Sequence, residues 1–298
     1  MFTRATLLHR PLLLGILISL SACQGLEGIQ VQGVDLGKLA SAGQHLTNMG
    51  QKSADEELVI GRNTASVLLQ KASVLNNPAL QTYVNRVGLW VAQHSERPDL
   101  EWRFAVLDSP QVAAYAAPAG YIFITSGMLK RMQSEAELAG VLAHEVAHVV
   151  QQHHLKAIQK QAQTGLLTDL ATLAVQAGAA KDGDTGKTAL TDKFTRSVGD
   201  LYARGLDRGD EYEADAMGAV IATRAGYDPY GLAGVLQTLG TMRQDDSALT
   251  GFLKVHPNIG DRLQRLEPIY QHIDANAGGP SQSLDMRYRQ ALGMGHYR

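Results

Sequence analysis

The sequence predicts an α+β fold, mostly helical, with one small β-sheet beside a metal-binding helix. Two patterns lead there. Apolar residues recur at three-and-four spacing over Glu56 to Gln70, Pro78 to Gln93, Ser134 to about Leu155, Arg196 to Ala225, Leu232 to Arg243 and Gly260 to His272, as in helices with one buried face. Only Trp102 to Leu107 and Tyr121 to Thr125 alternate like strands, the second bounded by Gly120 and Gly127. With 298 residues and 45% apolar composition the chain can bury a proper core.

The first residues read as a targeting segment. Arg4 and Arg10 precede a short apolar run, Pro11 to Leu20, which ends at Leu20-Ser21-Ala22-Cys23. That run is shorter than the roughly 20 residues a membrane span needs. Leu-Ser-Ala-Cys resembles a bacterial lipobox, which implies a signal peptide over 1–22 and lipid on Cys23. Gln24, rather than aspartate, then favours the outer membrane, with the protein facing the periplasm. Residues 23–52, rich in Gly, Gln and Ser, read as a lipidated flexible tether. Cys23 is the only cysteine, so internal disulfides are excluded and packing must supply stability. Lys and Arg number 27 against 29 Asp and Glu; this balance excludes the electrostatic surplus that draws proteins onto nucleic acid.

The folded domain is expected over 53–273. In it, Ser134 followed by Glu137 marks a helix start, an N-cap serine with a carboxylate three residues on. Lys181 to Lys187 has the Gly and Asp density of a loop. Whether 161–194 form a lid is open at this level. Residues 274–298, with Gly278-Gly279-Pro280, read as a loosely held tail.

The chemistry concentrates in His144-Glu145-Val146-Ala147-His148. Residues four apart on a helix lie about 40° apart around the axis and about 6 Å along it, so both imidazoles point one way and can share a zinc ion. Glu145 projects from the adjacent line and is the expected general base. Zinc polarises a peptide carbonyl and lowers the pKa of bound water toward about 7. A third ligand is needed. His154 lies six residues after His148, but reaching the metal requires glycine at 151 to break the helix, and Gln151 stands there. His153 and His154 are therefore expected at the surface or in a second layer. Glu211 and Asp215 share one face of a later helix. Glu211 is the better third ligand, with Asp215 accepting a hydrogen bond from a ligand histidine and Glu213 pointing into solvent.

His144-Glu145-x-x-His148 followed at long range by Glu211-x-x-x-Asp215 resembles the HtpX and CAAX-prenyl-protease family, peptidase family M48, most closely its periplasmic lipoproteins. That resemblance implies a gluzincin-type metallopeptidase domain with one Zn2+ per chain. Ala114 to Ile122 is similar to the strand segment lining the family's cleft, although Ala113 and Ala119-Gly120 stand where the family carries asparagine and a glycine pair. Val255-His256-Pro257 with Arg262 resembles its late His-Pro motif. By resemblance His256 lies near the active site, steadying the oxyanion or plugging the zinc, and Arg262 orients the site through a carboxylate; a histidine capping a turn before the Gly260 helix is the competing reading for His256, and a surface ion pair that for Arg262.

The expected function is thus zinc-dependent endopeptidase cleavage of unfolded or misassembled envelope proteins, which could add as a strand to the sheet edge near Tyr115 to Ile124. Two other classes stay in view. A zinc-containing periplasmic holding factor would bind unfolded proteins without cutting them, and a purely structural lipoprotein would carry no zinc.

Overall fold

The computed structural model describes residues 30–31, 34–35, 54–161, 185–243, 246–256, 258–273 and 282–293. Cys23, the 1–22 segment, Pro257 and most of the stretch raised as a lid lie outside them. The chain divides into two compact units, Met1–Ser53 and Ala54–Arg298. In the first, β1 (Gln30–Val31) and β2 (Val34–Asp35) form a short antiparallel ladder inside the stretch read as tether.

In the second unit α1 covers residues 54–69, and α2 (Pro78–Gln93) starts where Asn77 accepts from Leu80 N at 3.1 Å. The sheet follows as β3 (Arg103–Leu107), β4 (Ala114–Ala117) and β5 (Tyr121–Thr125), in spatial order β3-β5-β4. β3 runs parallel to β5, and β4 antiparallel to it. Alternation had identified β3 and β5 only. Ala-Tyr-Ala-Ala is too short and too uniformly buried to show a period of two.

After the short α3 (Ser126–Leu129), α4 (Glu135–Val150) forms the central column, buried on nearly every side, as expected of a helix apolar all round. Its start is the predicted one. Ser134 Oγ accepts from Glu137 N at 3.1 Å, while Glu137 reaches back to Gln133 N at 2.7 Å.

Its end corrects the sequence reading. The chain breaks at Gln152, whose φ of 58° is left-handed, and restarts as α5 (His153–Gln161). A glycine was not required for the break. A second correction falls on the expected helix from Arg196 to Ala225. Gly205, at φ 81°, splits it into α6 (Thr185–Arg204) and α7 (Arg208–Arg224); a Cβ there would meet Val255 O at 2.3 Å. The helix before this break starts at Thr185, inside the stretch read as a loop.

α8 (Gly231–Thr241), α9 (Ser247–Val255) and α10 (Ile259–His272) complete the packing around α4 and α7. α4 and α7 touch backbone to backbone. A Cβ on Gly218 would lie 2.9 Å from His144 N, so only glycine lets the two helices approach this closely.

The stretch expected to be a loose tail carries α11 (Gln282–Ala291). Tyr288 is buried and its hydroxyl donates to Leu129 O, while Arg287 pairs with buried Glu135. Glu135 also accepts from Tyr83 and Tyr227 at 2.8 and 3.0 Å. These anchors fasten a segment whose flanking glycines suggested none. Truncating a buried aromatic costs about 3 kcal/mol or more, so Tyr288→Ala is expected to lower unfolding free energy by that amount in urea titration. A change below about 0.5 kcal/mol, the range of ordinary surface substitutions, would return the segment to a loose tail.

Candidate metal centre

α4 presents His144, Glu145 and His148 toward α7, which presents Glu211 and Asp215; all five are buried. Nε2 of His144 and Nε2 of His148 lie 3.1 Å apart. Oε1 of Glu211 is 3.5 Å from the His148 nitrogen, and Oε2 is 3.8 Å from that of His144. The expected trio therefore converges. His256, the C-cap of α9, joins it with Nδ1 2.7 Å from Glu211 Oε2 and Nε2 3.9 Å from Glu145 Oε1.

Behind this group, Arg262 of α10 donates through Nε and Nη2 to Asp215 at 2.8 and 2.6 Å. It is fully buried, which rules out the surface ion pair. Asp215 Oδ1 in turn lies 3.0 Å from Nδ1 of His144. Burial pushes the Asp215 carboxyl upward, yet the Arg262 charge and its hydrogen bonds win and hold it well below the usual carboxylate range. Glu211 behaves alike. Burial opposes its ionisation, but the charge of His256 and its hydrogen bond to Glu211 keep it well below its ordinary value. Burial lowers the pKa of His144, favouring the neutral form that binds metal. On His256 the Glu211 charge outweighs burial and raises the pKa.

Three features of the group fit a divalent cation. Ligands about 2.0–2.1 Å from a tetrahedral zinc lie roughly 3.3–3.4 Å apart, and one atom each from His144, His148, Glu211 and His256 all fall within 4.8 Å of one another. Oε1 of Glu211 and Oε2 of Glu145 are buried without hydrogen-bond partners, a costly state that a cation and its water relieve. Finally, the carboxylates of Glu145, Glu211 and Asp215 lie against only two cationic groups, the Arg262 guanidinium and the His256 imidazole. Negative charge is left to balance. Nitrogen and oxygen donors in this number suit zinc.

Other expectations fare differently. Glu213 is half exposed, as expected, but Gln151 donates to it and His153 Nε2 lies 3.4 Å away. His153 and His154 are both buried, so neither is a surface residue. His154 stacks on Tyr202 with ring centroids 4.6 Å apart; it stays off the metal because of this packing, not because α4 continues.

Tyr202 itself escaped sequence reading, since nothing in its spacing on α6 marks it. Its hydroxyl donates to Ala116 O at 2.6 Å. Among the described residues β4 is the outer strand on this side, while β5 is paired on both sides, so only the Tyr115 part of the expected edge lacks a strand partner. Thr125 N donates to Ala113 O, and the alternation of an antiparallel ladder then turns Ala114 and Ala116 outward. At the β4–β5 turn Ala119 has φ 61°, where the family resemblance placed a glycine.

A helix offering two imidazoles four residues apart and a glutamate, with a third donor from a second helix, defines a zinc metallopeptidase domain. The comparisons agree. Residues 78–269 match the model of Peptidase family M48, and the chain belongs to that family. It is 27% identical to the Beta-barrel assembly-enhancing protease of Yersinia pestis over 97% of this chain and 58% of that protein. Identity to its namesake in Escherichia coli (strain K12) is 26% over 71% of this chain and 43% of the other. Against the Mitochondrial metalloendopeptidase OMA1 of Arabidopsis thaliana it is 30% over 63% and 37%. The chain thus spans only about half the length of the bacterial relatives it matches.

Removing one partner of a buried ion pair costs about 3–5 kcal/mol because the other charge is stranded. Arg262→Met is therefore expected to destabilise the domain by that amount. Adding Asp215→Asn should recover much of the loss, measured as a double-mutant cycle in denaturant; additive losses would mean that the pair is not coupled.

Proposed function

We propose that this chain is an endopeptidase that hydrolyses peptide bonds of unfolded or misassembled cell-envelope proteins. The observation that carries this reading is an ionisable, partnerless Glu145 oxygen beside a buried His144–His148–Glu211 donor set. In this reading those three hold zinc, which supplies Lewis-acid polarisation of the carbonyl and an acidified water. Glu145 takes the proton from the attacking water at its free oxygen and passes it to the departing amine. Asp215 fixes the His144 ring, and Arg262 fixes Asp215. His256, held at Nδ1 by Glu211, turns Nε2 toward the Glu145 side, where it donates to the developing oxyanion.

Substrate class rests on two supports. β4 carries a strand partner on one side alone among the described residues, and an edge strand reads backbone rather than side chains. That suits substrates of varied sequence. The bacterial relatives carry a name that joins proteolysis to β-barrel assembly, and the lipobox-like Leu20 to Cys23 supports a lipid anchor at Cys23 on the periplasmic face of the outer membrane.

General acid–base groups contribute about 10²–10⁴-fold. Glu145→Gln is expected to keep zinc yet lose at least ~100-fold in cleavage of unfolded casein, and retained cleavage would remove Glu145 from the chemistry. A wild-type protein that holds zinc and binds casein intact would instead support a holding factor.

Tyr202 occupies a carbonyl that an added strand would use. A hydrogen bond of this kind is worth about 0.5–1.5 kcal/mol net, so Tyr202→Phe is expected to lower KM for an unfolded substrate by roughly 2–10-fold with kcat little changed. A fall in kcat would place the hydroxyl in the chemical step instead.

A further inference from the structure

We propose that His153 is a positioning residue that orients His148 for zinc, as the middle of a relay ending on Glu213. The proposal rests on the reading that His148 binds zinc through Nε2. A neutral imidazole carries one proton, so a ligand bound at Nε2 must hold that proton on Nδ1. In the structure Nδ1 of His148 lies 2.9 Å from Nδ1 of His153. Of two nitrogens that close, one donates and the other accepts. His153 must therefore accept at Nδ1 and carry its own proton on Nε2.

That second nitrogen faces acceptors only. Glu213 Oε2 lies 3.4 Å from it and Asp210 Oδ1 3.8 Å. One direction of donation thus runs through the group, from His148 to His153 and from His153 to Glu213, with Asp210 beyond hydrogen-bond distance as a nearby negative charge, and each proton position follows from the one before. Gln151 donates to the other oxygen of Glu213 and steadies the outer end.

The backbone is bent to make this contact. On an unbroken helix a residue five places after His148 would lie about 140° around the axis, far from its ring. The left-handed Gln152, whose side chain donates to Glu57 at 3.1 Å, turns the chain back and buries His153 against His148.

The two imidazoles are consequently held by different arms. His144 faces a carboxylate directly, and that carboxylate is locked by a buried arginine. His148 faces a histidine whose own support is half exposed. Outer partners of ligand histidines are typically worth 10–100-fold in metal affinity.

The test compares full-length His153→Asn, whose side-chain oxygen can replace Nδ1 as acceptor, with His153→Leu, which offers similar bulk and no acceptor. Zinc Kd is measured by chelator competition, and apo-protein unfolding is followed in parallel. His153→Leu should weaken zinc roughly 10–100-fold, His153→Asn should restore most of that, and the half-exposed Glu213→Leu should weaken it several-fold without altering stability. Equal losses in the Leu and Asn variants, or unchanged affinity in His153→Leu or Glu213→Leu, would overturn the relay. Zinc that remains fully bound in Glu211→Ala, or a wild type that binds none, would overturn the underlying site reading rather than the relay.

Discussion

The centre depends on a buried charge arrangement that the protein alone leaves unbalanced. Arg262 sits among Asp215 and Glu211 with almost no exposure, and its two short bonds to Asp215 fix the face of α7 that meets α4. Burying such groups is costly unless they are paired and geometrically satisfied. The guanidinium satisfies Asp215 and His256 takes one oxygen of Glu211, which leaves the second Glu211 oxygen and one oxygen of Glu145 buried without partners, where a divalent ion and its water would satisfy them. Gly218 makes the arrangement possible, because a side chain there would force the helices apart and separate Glu211 from the imidazoles.

Residues around this core divide the work by depth. Asp215 and His153 lie behind the two rings, 3.0 Å from Nδ1 of His144 and 2.9 Å from Nδ1 of His148, the nitrogens turned away from the Glu211 side. His256 stands on the Glu145 side, tied to Glu211. The sheet contributes an edge instead of ligands, and α6 touches that edge through Tyr202. Stability and chemistry share one element here, since α4 is both the central column of the core and the bearer of three functional side chains.

Much of this was legible in the chain. A four-residue spacing of histidines states its geometry outright, because helix pitch converts it into a common face, and the Glu211–Asp215 spacing does the same on a second helix. Long amphipathic helices and two alternating strands followed from periodicity. What escaped was set by tertiary contact. Gln152 adopts a left-handed turn with no glycine to signal it, so one helix was read through its own end, and of the two places open to His153, surface or second layer, the structure takes the second. Gly205 did carry a signal, an Arg-Gly step ahead of Asp207, but unbroken apolar spacing on both sides hid it. β4 is too short to show alternation, and α11 has no sequence mark of the hydrogen bond that anchors Tyr288.

The most direct measurement is anomalous diffraction at the zinc edge from crystals of the purified folded domain, with metal content determined on the same protein. The account predicts one zinc per chain, with Nε2 of His144, Nε2 of His148 and one oxygen of Glu211 each about 2.0–2.2 Å away and Glu145 beyond bonding distance. A zinc peak elsewhere, or a full complement of zinc bound without Glu211, would contradict it.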